Sequence, residues 1–284
     1  MTTIPKLVIF TDLDGTLLDQ NSYSFEHALP ALRAVREKGI PLVFSSSKTR
    51  SEIDFYRKKM ENTHPFISEN GGAVFIPKDY FSFSFSCDRE AGAYFVLELG
   101  TFYPQIVAVL DSIKKETGVP IQGFSDLTAQ EISSLCGLSL QEAAFAKERE
   151  YDEPFLIEGG EQEVKTVRRK IREKGMNYAW GGRFHHILGD NDKGKAIGIL
   201  EHLFEKEFFS ISTVGIGDSQ NDLPMLLSVD TPIFLRENQA PLPEVLSSVK
   251  PLTVVDGRGS RAWNRAILSF LNMRLFSAVG RAVE

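Results

Sequence analysis

The chain has 284 residues with a formal net charge of −6, and 42% of them are hydrophobic and 25% charged. This composition excludes wholesale disorder, and the length allows one or two domains with a large core. The acidic balance argues against a nucleic-acid-binding surface, so an anionic substrate would need local basic residues.

Cysteine usage and the apolar runs narrow the class of protein further. Cys87 and Cys136 do not have metal-type spacing. No apolar run approaches the roughly 20 residues of a membrane span, and residues 1–6 lack the pattern of a secretory leader. We therefore expect a cytoplasmic protein with reduced thiols and with no nucleic-acid or membrane partner.

The first predicted strand ends in two aspartates. Residues 8–10 are β-branched or aromatic, which is typical of a strand covered on both faces. Asp12 and Asp14 are one strand period apart and leave the backbone on the same side if the chain stays extended. A divalent cation would keep both carboxylates ionised. Taken alone, however, the pair is more often an Asp-Gly turn after a core strand.

Two further strands follow in the same pattern. A helix over residues 25–35 leads to a strand over 40–44, which runs into the hydroxyl and basic cluster 45–50. A helix to about residue 61 leads to a strand over 65–68 with a hairpin partner over 73–77. This β-α-β-α-β order predicts an α/β fold with a doubly wound, mostly parallel sheet and one ligand crevice at the strand tips.

The pattern changes after residue 80. Phenylalanine and serine alternate over residues 81–86, which predicts a strand with one solvated face. Short strands and helices continue to residue 187. We assign residues 84–187 to an inserted α+β domain, and residues 1–83 and 188–284 to the α/β core.

The parallel pattern resumes after the insert. Residues 192–196 open a helix, a strand over 211–216 runs into the polar segment 217–222, and a helix over 260–276 closes the chain. Polar clusters therefore lie at residues 12–16, 45–48, 192–194 and 217–222.

In order and residue type, these four clusters resemble the four motifs of the haloacid dehalogenase superfamily of phosphatases. The insert is similar to the second-type (C2) cap of that superfamily. The resemblance implies that Asp12 attacks phosphorus and that Asp14 acts as general acid and then base. It also implies that Lys193 neutralises charge and that a serine binds a phosphate oxygen. We favour Ser46 for this serine because of its position before the lysine, with Ser45 as the alternative.

The same resemblance implies a Mg²⁺ cofactor. Its ligands would be Asp12, Asp14 through its backbone carbonyl, Asp218 and Asp222, with Asp222 acting directly or through water. An all-oxygen site with few protein ligands fits this ion.

A closer resemblance concerns the substrate. Residues 46–50, 69–72, 181–185 and 192–196 are similar to the mannosyl-3-phosphoglycerate phosphatase family, which implies a small glycosyl-phosphoglycerate substrate. Another sugar phosphate, or a mutase reaction on the same core, remains as the alternative, whereas a non-catalytic regulator is disfavoured. The candidate substrate-binding residues are Lys48, Arg50, Asn70, Gly71, Gly72, Gly182, Arg183, His185 and Asn221.

Each substrate contact has a structural alternative. Gly71 and Gly72 either expose N–H groups to an anion or form a hairpin turn. Arg50 and Arg183 either grip a carboxylate or lie at a helix start and in a turn. Only one of His185 and His186 can face the cleft, because successive strand residues point to opposite sides.

Overall fold

A computed structural model describes residues 5–249 and 251–280, which form a large sheet and a small one. The strands are β1 (Lys6–Thr11), β2 (Leu42–Ser45), β3 (Phe66–Ser68), β4 (Ala73–Pro77), β5 (Arg89–Ala91), β6 (Tyr94–Glu98), β7 (Ile121–Gly123), β8 (Asp152–Ile157), β9 (Asn177–Trp180), β10 (His185–Leu188), β11 (Ile211–Gly217), β12 (Thr231–Arg236) and β13 (Thr253–Asp256). The helices are α1 (Leu29–Glu37), α2 (Arg50–Lys59), α3 (Tyr103–Thr117), α4 (Ala129–Cys136), α5 (Leu140–Ala146), α6 (Glu161–Glu173), α7 (Lys193–Phe208), α8 (Leu223–Ser228) and α9 (Gly259–Gly280). Residues 1–4, which contributed to the expectation about a leader, lie outside the described residues.

The large sheet has the strand order β13-β12-β11-β1-β2-β3-β4-β6-β5. Neighbours from β13 to β3 are parallel, and the remaining pairs are antiparallel. Because β1 lies between β11 and β2, the carboxyl ends of these three strands meet at one edge. The predicted doubly wound, mostly parallel sheet is confirmed.

Helices cover both faces of this sheet, and β1 shows why. Its apolar residues alternate between two cores: Ile9 packs with residues of α1, α2 and α9, whereas Val8 and Phe10 pack with residues of α7 and α8. All three side chains are fully buried. The continuous apolar run therefore reflects burial on both sides, as expected for a central parallel strand.

The small sheet belongs to the insert and is antiparallel, with the order β7-β8-β10-β9. Apolar residues of α3 and α6 pack with Phe155 and Ile187 in one core. Residues of α4 and α5 form a second cluster, against which Phe184 packs. Within the described residues, no helix is long and apolar enough to cross a membrane.

The first boundary of the insert differs from the predicted residue 84. β6 pairs with β4 from Ala73–Glu98 to Pro77–Tyr94, and β5 pairs with β6, so both strands extend the large sheet. Sequence alternation indicates a strand but does not tell which sheet it joins. We propose that the insert spans residues 100–187 instead.

The prediction of a strand over residues 81–86 is wrong. These residues form no ladder. Instead, the rings of Phe81 and Phe83 stack with centroids 5.5 Å apart, and Phe81 meets Phe204 of α7 edge-on at 5.4 Å. The alternation therefore reflects an aromatic cluster on a helix rather than pairing in a sheet.

Candidate active site

Asp12 follows β1 directly and is held beside the tip of β11. Its backbone N–H donates to the carbonyl of Ile216 at 2.9 Å. The Asp12 side chain is 6% exposed, whereas that of Asp14 is 33% exposed. Both residues line a cavity between the large sheet and the insert. The two aspartates therefore lie at a strand tip that faces a cavity, as predicted.

Lys193 is the first residue of α7 and lies between two buried carboxylates. Its Nζ is 2.7 Å from Asp12 Oδ1 and 2.6 Å from Asp222 Oδ1. Burial lowers the pKa of Lys193, but Asp12 and Asp222 raise it more, so it ends above its ordinary value. The ammonium group is therefore charged and neutralises part of the acidic cluster.

The segment after β11 supplies Asp218 and Asp222. Asp222 Oδ2 accepts the N–H groups of Asp218 and Ser219, both at 3.0 Å, which fixes the turn. Thr16 Oγ1 donates to Asp218 Oδ1 at 2.7 Å, and Arg258 Nη2 lies 2.7 Å from Asp218 Oδ2. Both carboxylates are therefore held rigidly by neighbouring donors.

Asp12, Asp218 and Asp222 form a candidate metal centre. Each offers a carboxylate oxygen, and these oxygens all lie within 4.8 Å of one another. Burial, together with the neighbouring carboxylate of Asp222, raises the pKa of Asp218 to about 7. Burial also raises the pKa of Asp12 well above its usual value. Buried, mutually repelling carboxylates of this kind fit a hard divalent cation such as Mg²⁺.

Asp14 is paired with Lys48 rather than with this carboxylate cluster. Lys48 Nζ lies 3.1 Å from Asp14 Oδ2 and 3.2 Å from Glu52 Oε1. The other oxygen, Asp14 Oδ1, has no hydrogen-bond partner among the described residues. Because Asp14 lines the cavity and its side chain is 33% exposed, it can exchange a proton with a group there. The metal contact of its backbone carbonyl stays a prediction.

The two candidate serines differ in their partners. Ser46 Oγ accepts the N–H of Lys48 at 3.3 Å. Ser45 Oγ is buried and has no partner among the described residues. Either hydroxyl retains a proton to donate, so the choice of Ser46 over Ser45 stays a prediction.

The insert forms the opposite wall of the cavity. Phe124, Cys136, Leu138, Pro154 and Phe184 contribute apolar surface. Arg183 also lines the cavity. Its guanidinium donates to the carbonyls of Leu135 and Cys136, and it lies over the ring of Phe184 at 5.3 Å. Arg183 therefore lies opposite the aspartates across the cavity, and its contact with a substrate carboxylate stays a prediction.

The prediction that His185 contacts the substrate is wrong. Its Nδ1 lies 2.6 Å from Tyr178 Oη, its ring packs against that of Trp180 at 4.5 Å, and it does not line the cavity. His186, its neighbour on β10, lines the cavity instead. Strand alternation allowed only one of the two, and the packing of the insert selects His186.

Gly71 and Gly72 serve close packing. The Gly72 N–H donates to the carbonyls of Ser68 and Glu69, both at 3.0 Å. A Cβ on Gly72 would lie 2.4 Å from Tyr151 Cβ, and one on Gly71 would lie 2.1 Å from the carbonyl oxygen of Asp192. The predicted anion contact of Gly72 is therefore contradicted.

Four other predicted residues occupy different positions around the site. Arg50 begins α2 and Gly182 lies in the turn before β10, and neither lines the cavity. Asn221 does line it, and its Nδ2 donates to Asn70 Oδ1 at 3.0 Å. Asn70 Nδ2 in turn donates to Asp152 Oδ2 at 2.6 Å, so Asn70 links the segment after β11 to the insert.

Sequence reasoning missed Arg149 and Asp152. The Arg149 side chain is 5% exposed, lines the cavity and donates from Nη1 to the carbonyl of Ser47 at 2.8 Å. Asp152 is fully buried beside it. The sequence signal for these two residues was the dense run of charged residues over 148–153 next to an apolar strand. Charged residues that are buried beside such a strand require polar partners, which indicates a polar site.

The sequence matches the family model of haloacid dehalogenase-like hydrolases over residues 9–251. A glucosyl-3-phosphoglycerate/mannosyl-3-phosphoglycerate phosphatase of Methanococcoides burtonii is 46% identical over 268 residues, covering 94% of this chain and 97% of the relative. A mannosyl-3-phosphoglycerate phosphatase of Pyrococcus furiosus is 37% identical over 246 residues, covering 86% of this chain and 96% of the relative.

Solved structures share the fold at low sequence identity. A protein of Thermoplasma acidophilum has a TM-score of 0.64 at 18% identity and covers 94% of this chain and 99% of its own. A haloacid dehalogenase-like hydrolase from B. subtilis has a TM-score of 0.62 at 16% identity and covers 88% and 94%. These two likenesses support the architecture alone.

Proposed function

Because the chain belongs to the haloacid dehalogenase-like hydrolases, as its four motifs predicted, we propose that it is a Mg²⁺-dependent phosphatase of glycosyl-3-phosphoglycerates. The observation that carries this proposal is the position of Lys193 between Asp12 and Asp222, next to Asp218, at the tip of β1. The names of the relatives support glucosyl- or mannosyl-3-phosphoglycerate as the substrate. The expected cytoplasmic location stays a prediction.

Asp12 is the nucleophile in this proposal. Its free carboxylate oxygen attacks phosphorus, the bond from phosphorus to the glycerate oxygen breaks, and an aspartyl-phosphate results. Lys193 holds the other oxygen of Asp12 and offsets negative charge that gathers there. Asp12, Asp218 and Asp222 would hold Mg²⁺, which when bound reduces the repulsion between carboxylate and phosphate.

Asp14 acts as general acid and then as general base in this proposal. In the first step its carboxyl group protonates the departing glycerate oxygen. In the second step its carboxylate takes a proton from the water that attacks the aspartyl-phosphate. Lys48 holds Asp14 Oδ2, and Asp14 Oδ1 is buried with no hydrogen-bond partner among the described residues.

The insert closes over these groups. The cavity volume is about 80 Å³, well below the roughly 300 Å³ at which typical ligand pockets begin. Thr49 Oγ1 donates to the carbonyl of Phe145 at 2.8 Å, and Asn70 reaches Asp152, so the insert is docked on the core. A glycosylated phosphoglycerate therefore enters only after the insert has moved away, and its return excludes water.

A phosphate-release assay tests the proposed function. We expect release from glucosyl- and mannosyl-3-phosphoglycerate in the presence of Mg²⁺, slower release from glucose 6-phosphate, and none after chelation. Equal rates of phosphate release from all these substrates would contradict the substrate assignment but not the phosphatase activity. Isomerised sugar phosphate without phosphate release would favour a mutase.

The nucleophile has its own test. Asp12→Asn is expected to abolish phosphate release and the acid-stable trapping of phosphate on the protein, with an unchanged circular dichroism spectrum. Asp190→Asn is the matched control because Asp190 is 88% exposed and forms its ion pair with Lys195 at the surface. Full activity of Asp12→Asn would refute the mechanism.

A further inference from the structure

A histidine–carboxylate pair in the insert has no role in the chemistry described above. His186 Nδ1 lies 2.8 Å from Asp152 Oδ1, and the side chains are 5% and 0% exposed. Asp152 also accepts from Asn70 and lies 3.6 Å from Arg149 Nη1. The carboxylate therefore has three polar neighbours, and its hydrogen bond to Nδ1 holds the imidazole ring in one orientation.

The other nitrogen of the ring is left for a ligand. His186 lines the cavity that contains Asp12 and Asp14. Its Nε2 has no hydrogen-bond partner within residues 5–249 and 251–280, although the side chain is nine-tenths buried. A Cβ built on Gly181 would lie 3.2 Å from Nε2 and 3.8 Å from Asn221 Nδ2, which places Nε2 near the segment after β11.

The charge of Asp152 determines what Nε2 can do. Burial raises the pKa of Asp152, but His186, Arg149 and Asn70 lower it more, so the net shift is downward. An ionised Asp152 accepts a hydrogen bond from Nδ1–H and so leaves Nε2 as the ring atom available to a ligand in the cavity. A proton on Nε2 makes this atom an N–H donor, which suits an anionic oxygen in the cavity.

We propose that His186 donates from Nε2 to the carboxylate of the glycerate part of the substrate, with Asp152 as the positioning residue. The inference rests on the proposed function, because that function supplies a substrate with a carboxylate. The residues proposed to act on the phosphoryl group lie in the core, at the tips of β1 and β11. His186 lies on β10, which belongs to the insert that covers the leaving group. In 3-phosphoglycerate the carboxylate is two carbon–carbon bonds from the phosphate-bearing carbon, and His186 lines the same cavity as Asp12.

Two variants separate the cavity contact from the contact with Asp152. His186→Asn places an amide where Nδ1 lies and so retains a donor to Asp152, but offers nothing at the position of Nε2. His186→Gln places an amide near the position of Nε2 and should restore part of the contact. His185→Gln is the matched control, because His185 is the next residue on the same strand and faces Tyr178 instead.

Each variant is assayed on glucosyl-3-phosphoglycerate and on the analogue in which a hydroxymethyl group replaces the carboxylate. For His186→Asn, kcat/KM on the phosphoglycerate should fall about 10- to 100-fold, mostly through KM, as for a lost charge-assisted hydrogen bond. On the analogue it should change less than about twofold, and activity there shows that the variant is folded. His186→Gln should fall between His186→Asn and the wild type, and Asp152→Asn should follow the pattern of His186→Asn.

Equal losses on both substrates, or no loss on either, would overturn the assignment of His186 to the carboxylate. In both cases a wild-type protein that hydrolyses glucosyl-3-phosphoglycerate would leave the proposed function standing. A wild-type protein that releases no phosphate from glycosyl-phosphoglycerates would instead refute the proposed function, and the inference with it.

Discussion

Lys193 Nζ and Asp12 Oδ1 lie 2.7 Å apart, and the lysine side chain has no exposed surface. The same ammonium group contacts Asp222, so it separates two carboxylates that would otherwise repel each other. Removal of one partner from a buried ion pair leaves an uncompensated charge, which is costly in a medium of low polarity. Lys193 therefore supports both the fold of the site and the ionised state of the nucleophile.

Substitution of this lysine is expected to reduce turnover strongly. In Lys193→Met, kcat for phosphate release should fall about 100- to 1,000-fold, because charge on Asp12 and the phosphoryl group loses its fixed neutralising partner. Lys195→Met is the control, since Lys195 is 46% exposed and pairs with Asp190 at the surface. The kcat values of the two variants, measured by steady-state kinetics, should differ by at least tenfold. Similar kcat values would contradict the role of Lys193.

The cluster of Asp12, Asp218 and Asp222 leads to a separate prediction about Mg²⁺ binding. Asp218 has one oxygen bound by Thr16 and the other by Arg258, so Asp218→Asn keeps the shape of the side chain but removes a charge. We expect the Mg²⁺ concentration for half-maximal activity to rise about tenfold or more, while saturating Mg²⁺ restores part of kcat. Titration of phosphate release with Mg²⁺ measures this, with Asp256→Asn at the surface as the control. An unchanged midpoint would exclude Asp218 as a ligand.

Local sequence was sufficient to predict part of this site. The tips of β1 and β11 each combine an apolar run with aspartates, and a buried strand brings its next residues to the sheet edge whatever lies elsewhere in the chain. Asp12 and Asp218 therefore meet at that edge, whereas the place of Lys193, at the start of α7, was expected only from the resemblance to the haloacid dehalogenase superfamily.

Contacts between distant segments were not predictable in this way. The choice between His185 and His186 depends on which face of β10 the insert turns towards the core, and Arg149 reaches the cavity only because the insert is docked. The membership of β5 and β6 in the large sheet likewise depends on pairing with β4, for which a single strand carries no local signal.

Alanine substitutions at two glycines test side-chain packing, because neither position requires a backbone conformation that alanine avoids. Gly72 has φ −64° and ψ −35°, which any residue can adopt, but a Cβ there would meet Tyr151 Cβ at 2.4 Å. Gly72→Ala should therefore destabilise the protein by about 1–3 kcal/mol through overpacking. A Cβ at Gly198, within α7, would meet nothing within 4 Å, so Gly198→Ala should stabilise by about 0.5–1 kcal/mol. Urea unfolding of both variants measures these changes, and equal signs would contradict the packing role of Gly72.

His64 predicts a pH dependence of stability away from the active site. Its Nδ1 lies 2.7 Å from Tyr80 Oη, and burial, with Arg57 and Lys6 nearby, lowers the pKa of the ring to about 4. An unfolded histidine titrates near 6.5, so between pH 6.5 and 4 the unfolded chain binds more protons than the folded one. Stability should therefore fall as the pH is lowered through this window, by about 2 kcal/mol from this residue alone.

His64→Asn isolates that contribution, because asparagine places an amide where Nδ1 lies, can keep a hydrogen bond to Tyr80 and does not titrate. The free energy of unfolding, measured at pH 7 and pH 4.5, should drop less in the variant than in the wild type, by the same amount of about 2 kcal/mol. His202, which is exposed on α7, serves as the control. His202→Asn should leave the pH dependence of the wild type unchanged within about 0.5 kcal/mol. A variant at His64 with the full wild-type loss at low pH would show that another group is responsible for the acid sensitivity.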